Sequence, residues 1–123
     1  MGKVLFIEYR RCSTCIRAHK WLDAHGVDYE ERSIVDDVPT PLELKEWHEK
    51  SGLPIKRFFN TSGKLYRELN VKEKFNEGMT DEEAYELLST DGMLIKRPVL
   101  VGDNFVTTGF KEDKWAELLG VEA

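Results

Sequence analysis

The sequence predicts an α/β fold around a mixed four-stranded sheet: strand–helix–strand, a helical insert, then strand–strand–helix. Three observations carry this. The apolar run Val4-Leu5-Phe6-Ile7 and the segment Val27 to Ile34 flank a helical pattern within about 30 residues, the span of a βαβ unit. The stretch 36–92 holds two helix-start signatures and no convincing strand. Beyond it, Arg97 to Thr108 reads as a hairpin and is followed by a helix. A chain of 123 residues fits one domain, here 1–123, with 1–35 and 93–123 as core and 36–92 as insert.

Val4 to Ile7 has strand length and is uniformly apolar, so it reads as a buried strand, followed by Glu8 and Tyr9. Arg10 to Ser13 is a short loop. From Thr14 to His25 the period becomes helical, with Ile16, Trp21 and Leu22 able to share a face with Ala18. Gly26 ends that helix, and Val27 to Ile34 supplies the second strand, reached by a right-handed crossover.

Asp36 to Pro39 marks a break. Thr40-Pro41-Leu42-Glu43 then has capping-box form, with proline at the first helical position. That helix runs to about Ser51, and Gly52 caps it. Pro54 opens a short helical piece through Phe59, and Asn60 to Gly63 is turn chemistry. Thr80-Asp81-Glu82-Glu83 is a second capping box, for a helix through Leu88. Arg97 to Val101 reads as a strand opened by Pro98, with Gly102-Asp103-Asn104 the turn and Phe105 to Thr108 the return. Lys111 to Leu119 closes the chain as a helix with Trp115, Leu118 and Leu119 inward.

Composition limits the function classes. Apolar residues are 41% and charged residues 33%, ordinary for a globular protein. No apolar run approaches the ~20 residues that span a bilayer, and the first ten residues lack a signal peptide's apolar region. We therefore expect a cytoplasmic protein without membrane contact. A net charge of −5 argues against direct nucleic-acid binding, which needs clustered cations. Arg10, Arg11, Arg17, Lys20, Lys96 and Arg97 are the local exception. If they converge, they form a positive pocket suited to a small anion or a thiolate.

The chain has two cysteines, Cys12 and Cys15, three residues apart at the expected helix start. Unpaired N–H groups there act as about half a positive charge. A thiolate at Cys12 is stabilised, and dipole and local charge effects of about 1–2 kcal/mol lower its pKa by about one unit. Cys15 faces inward and keeps a more ordinary thiol. Cys12 would attack, and Cys15 would resolve the mixed disulfide by pairing with it. Two buried core thiols are the bland alternative. Zinc fits poorly: it wants four ligands, and His25 lies ~15 Å along the helix from Cys15 at ~1.5 Å per residue. No metal is expected. His19 reads as a partly exposed helix residue or a modest modulator of the thiols. Trp21, Trp47 and Trp115 read as core anchors, Phe58-Phe59 as packing, and the acidic stretch Asp81 to Glu86 as a solvated face. Pro98 reads either as an edge-strand start or as a cis proline turning Arg97 toward Cys12.

Cys12-Ser13-Thr14-Cys15 after a first strand, the insert, Lys96-Arg97-Pro98 before Val99-Leu100-Val101, and the late Gly109-Phe110 resemble the ArsC/Spx family. That family comprises glutaredoxin-coupled arsenate reductases, Spx-type regulators that bind RNA polymerase, and relatives such as YffB. The resemblance spans nearly the whole chain. It implies a thioredoxin-like fold, a cis Pro98, a nucleophilic Cys12, and Arg97 as anion-binding or thiolate-supporting arginine. Arg11, Ser13, Thr14, Asn60, Pro98 and Lys111 are the residues expected around an anion or thiol substrate. The arsenate reductases hold their oxyanion with three arginines and one cysteine. Here Asn60 and Lys111 stand at two of those arginine positions, although Arg57 is one turn from Asn60 and Cys15 is extra. The segment Phe59 to Gly63 with Tyr66 and Leu69 is closer to YffB-like members, which implies a glutathione-dependent thiol reductase.

The expected function is a thiol–disulfide oxidoreductase linked to glutathione or thioredoxin. It would have no tightly bound cofactor and would act on a small thiol or a protein disulfide, with glutathione as candidate co-substrate. The first alternative is an Spx-type redox switch binding the C-terminal domain of the RNA polymerase α chain, with Gly52 either contacting that partner or merely capping its helix. The chain stops at Ala123, short of the Spx-type C-terminal extension. The second alternative is an arsenate reductase.

Overall fold

The apolar run at the start forms β1 (Val4–Glu8) in the computed structural model, which describes residues 3–122. A helix, α1 (Ser13–Ala24), and a second strand, β2 (Tyr29–Ser33), complete the βαβ unit. β1 and β2 pair in parallel, Val4 opposite Tyr29 through Glu8 opposite Ser33. Two short strands follow much later, β3 (Val99–Val101) and β4 (Val106–Thr108). β3 runs antiparallel to both β1 and β4, which gives the mixed order β2-β1-β3-β4. Gly102 makes the β3–β4 turn with its N–H donating to the Phe105 carbonyl at 2.8 Å. A side chain there would collide with the Phe105 ring.

The chain divides into two units, 1–33 with 97–123, and 34–96. In the first unit, Phe6, Leu22, Leu100 and Trp115 are fully or almost fully buried together with Ala18 and Trp21. The last helix, α6 (Glu112–Leu119), contributes Trp115, Ala116 and Leu119 to this core. Leu118, expected inward, is only half-buried; Ala116 takes the inward place. Ile16 is a second correction. It is 43% exposed, because the buried stripe of α1 runs through Cys15, Ala18 and Leu22 at helical spacing, and Ile16 is one residue, ~100°, off that stripe.

The second unit is mainly helical. Both predicted capping boxes form. Thr40 heads α2 (Pro41–Ser51), and Thr80 heads α5 (Asp81–Leu88), each side chain accepting from the third-residue N–H while that residue's carboxylate reaches back. α2 and α5 pack together, and His48 Nδ1 lies 2.6 Å from the Tyr85 hydroxyl. Between them lie two short helices without strong sequence signals, α3 (Lys64–Glu68) and α4 (Val71–Asn76). The unit begins at Ile34 and ends at Lys96, two residues earlier and four later than the sequence suggested. Ile34 is fully buried, with its carbonyl against Gly92, where any Cβ would clash. At the other end, Ile95 bridges Phe59, and the Lys96 N–H donates to the Phe58 carbonyl at 2.8 Å.

Candidate functional site

The site forms where β1 ends and α1 begins. Tyr9 follows the strand, and its carbonyl accepts the Cys12 N–H at 3.0 Å, closing a turn that sets Cys12 as the N-cap of α1. Cys12 is partly exposed, and Cys15, one turn in, is fully buried. They approach to 3.5 Å without bonding, so the anticipated disulfide is not formed and both are free thiols.

The two sulfurs have opposed environments. Burial alone would raise the pKa of Cys12. The Cys15 amide and thiol, the Thr14 amide and the Arg97 charge outweigh that, holding the thiol below its ordinary value. The Cys12 side chain makes no strict cap hydrogen bond; the amides act as a cluster of dipoles aimed at the sulfur. Cys15 is pushed up to about 12, chiefly by burial. The Cys12 sulfur and the Glu8 charge add to that rise, while the Tyr9 N–H opposes it. An attacking sulfur and a protonated partner thus stand side by side.

Arg97 belongs to this site. The Arg97–Pro98 peptide is cis, and the guanidinium lies 5.2 Å from the centre of the Tyr9 ring. Pro98 is buried, and its carbonyl accepts the Gly109 N–H at 2.8 Å. Thr14 contributes its backbone; Ser13 and Arg11 are exposed on the rim. Arg97 is the cation acting on Cys12, whereas Arg10 acts on Glu8. Arg10 and Lys20 share a cleft with Glu8, Asp23 and Glu31, so its charge is mixed. Lys111 is the exposed N-cap of α6 and lines a shallow surface depression with residues of that helix. Asn60 lies in the other unit, where its N–H donates to the Leu94 carbonyl at 2.7 Å and its carbonyl accepts from Gly63. Neither cysteine belongs to a cluster of three or more metal-type ligands among the described residues.

Sequence reasoning missed Glu8 and Glu31. Glu8, at the end of β1, is only 6% exposed. Burial and a hydrogen bond to the like-charged Glu31 push its carboxyl up to about 7, with Arg10 opposing. Glu31 lies 3.5 Å from His19 Nε2, which is equally close to Asp23. One signal existed: a lone acid ending an otherwise apolar strand, beside the cysteine loop. Among the described residues, no helix is long and apolar enough to cross a membrane.

The ArsC family model matches residues 8–118, which span every part of this site. The uncharacterised protein YusI of Bacillus subtilis is 52% identical over 112 residues, covering 91% of this chain and 94% of its own. A global transcriptional regulator Spx of Listeria innocua is 25% identical, over 84% of this chain and 76% of its own. Among solved structures, an ArsC-family-related protein of Bacteroides fragilis superposes with a TM-score of 0.90 at 50% identity, covering 95% and 98% of the two chains.

Proposed function

This chain belongs to the ArsC family, and on that premise we propose that it is a thiol–disulfide oxidoreductase with Cys12 as nucleophile and Cys15 as resolving thiol. One observation carries the reading: a thiol held below its ordinary pKa lies 3.5 Å from a second thiol held well above it. The thiolate is the reactive form of sulfur, so the first sulfur attacks while the second waits protonated. The Cys12 thiolate attacks a disulfide R–S–S–R, forming Cys12–S–R and expelling one RS⁻. Cys15 then loses its proton and attacks the Cys12 sulfur, forming Cys12–Cys15 and expelling the second RS⁻. Two electrons pass from the dithiol to the substrate, and an external thiol must return them. Arg97 supports the Cys12 thiolate and offers a forked donor to an anionic leaving thiol. Glutathione, a small anionic thiol, fits that role as reductant and as mixed-disulfide partner.

The test is turnover of a low-molecular-weight disulfide by the reduced protein with glutathione, glutathione reductase and NADPH. Activity lost in Cys12→Ser supports the reading; absence of turnover with both glutathione and thioredoxin systems rejects it. The likeness to Spx favours a second reading, in which the same dithiol is a switch without turnover. In that case the protein binds the C-terminal domain of the RNA polymerase α chain in one redox state only, and a pull-down of that domain separates the two. An arsenate reductase would need cations at the site beyond Arg97. Lys111 lies in a depression of α6, and the third position carries the neutral Asn60. Arsenate consumption with glutathione and glutaredoxin is the corresponding assay.

A further inference from the structure

Apart from the cysteine pair, the first βαβ unit gathers a second set of ligand-type side chains. β1 and β2 pair in parallel with Phe6 opposite Glu31. Glu8, two residues on from Phe6, therefore points to the same sheet face as Glu31. His19 and Asp23 are one turn apart on α1 and share a helix face. His19 packs on Phe6 from that face, with ring centroids 6.1 Å apart. We propose that Glu8, His19, Asp23 and Glu31 form a site for one divalent cation of the zinc class, held by an imidazole nitrogen and carboxylate oxygens. Neither cysteine belongs to this cluster, so the site is separate from the thiol chemistry.

The distances favour a shared cation over simple hydrogen bonding. His19 Nε2 lies 3.5 Å from Glu31 Oε1 and 3.5 Å from Asp23 Oδ2. A charge-assisted N–H···O bond closes to about 2.7–2.9 Å. Tetrahedral zinc with bonds of about 2.0–2.1 Å instead sets neighbouring ligand atoms about 3.3–3.4 Å apart. Glu8, His19 and Glu31 each bring one ligand atom within 4.8 Å of the other two.

Glu8 points to a cation independently. It is only 6% exposed. Among the described residues its side-chain hydrogen bond goes to Glu31, another carboxyl. A carboxylate so buried ordinarily has a cation beside it or several donors around it. Arg10 and Lys20 line the same cleft, and Arg10 favours the Glu8 charge, yet neither makes a close ion pair with the cluster among the described residues. A divalent cation takes the place of the proton that the two carboxyls otherwise share.

The surroundings fix the ligands, as a metal site requires. The Tyr29 hydroxyl donates to Asp23 Oδ1 at 2.7 Å, which leaves Oδ2 facing His19. The Tyr29 ring also packs edge-on against the imidazole, with centroids 5.8 Å apart. Glu31 and His19 are 44% and 39% exposed, which gives a cation a path from solvent to the buried Glu8. Because the ligands come from β1, α1 and β2, the cation ties the three elements of the βαβ unit together.

Zinc titrated by calorimetry into the full-length Cys12→Ala/Cys15→Ala chain, which has no thiol to compete, should bind saturably at a single site. In that background Tyr29→Phe should weaken binding about 10–100-fold, the usual cost of a lost supporting partner. His19→Ala and Glu31→Gln, both at solvent-accessible positions, should weaken it further, and His25→Ala, outside the cluster, should leave it unchanged. Manganese, which prefers oxygen ligands to thiolate, gives a second reading on the wild-type chain. It should broaden the ring-proton resonances of His19 before those of His25 and His48. If a proton on His19 alone bridges the carboxylates, zinc finds no saturable site or binds the His19→Ala chain equally well. Either result overturns the proposal, as does manganese broadening that spares His19.

Discussion

Replacing Arg97 by glutamine removes the guanidinium that acts on Cys12 while keeping a polar chain beside Tyr9. The Arg97 charge acts on Cys12 behind the Cys15 and Thr14 donors, so its loss moves the thiol pKa upward while those donors remain. Each unit of upward movement, worth about 1.4 kcal/mol, cuts the thiolate fraction below the midpoint about tenfold. The remaining thiolate becomes about two- to threefold more nucleophilic per unit at a Brønsted slope of about 0.4–0.5, so the rate falls about three- to fourfold per unit. The full pH profile of alkylation by iodoacetamide separates the two effects, the midpoint giving the pKa and the plateau the nucleophilicity. Arg97→Lys keeps the charge and should hold the midpoint closer to wild type than Arg97→Gln does. An Arg97→Gln midpoint that stays put, or falls, refutes the assignment of Arg97 as thiolate support.

Cys15→Ala should trap Cys12 as a stable glutathione adduct, visible as one added glutathione by mass spectrometry, because no second thiol resolves it. Glu8 bears on stability through linkage. Its folded pKa of about 7 exceeds its ordinary value of 4.5, so its favourable contribution is complete below about pH 4.5 and is lost as pH rises through about 7. Glu8→Gln should therefore unfold at higher urea than wild type near pH 8, by about 1–3 kcal/mol, and the gap should close near pH 4. Thr80→Ala removes the α5 cap and should cost about 1 kcal/mol in urea denaturation followed by tryptophan fluorescence. Gly92→Ala drives a methyl into the Ile34 carbonyl and should destabilise more than any surface change, lowering the thermal midpoint well beyond Thr80→Ala.

What the sequence makes legible is local. The apolar run at Val4 and the two Thr-x-x-Glu caps each have a mechanism confined to a few residues, and each appears as expected. So does the placement of Cys12 at a helix start, since one turn decides it. The helices at Lys64–Glu68 and Val71–Asn76 leave no such signal, because five or six residues are too short for a helical period. Neither has a side-chain cap, and Asn70 enters its helix in the left-handed region. Ile16 is misplaced by pattern alone because its apolar side chain lies one residue from the stripe through Cys15, Ala18 and Leu22, and hydrophobicity by itself does not fix how wide the buried face is. Glu8 lies beyond reach for a deeper reason. Its raised pKa comes first from burial and then from Glu31, 23 residues further along and on the neighbouring strand. The cis geometry of Pro98 is one of two local readings and follows from family resemblance rather than from neighbouring residues.

The most direct measurement is the ultraviolet thiolate absorbance of the reduced protein as pH is raised. With Cys15 pushed to about 12, only Cys12 should ionise across the neutral and mildly alkaline range. The expected curve is a single step of one thiolate with its midpoint below the ~8.5 of a free thiol. Two thiolates rising together near ~8.5 would contradict the division of labour between the two sulfurs.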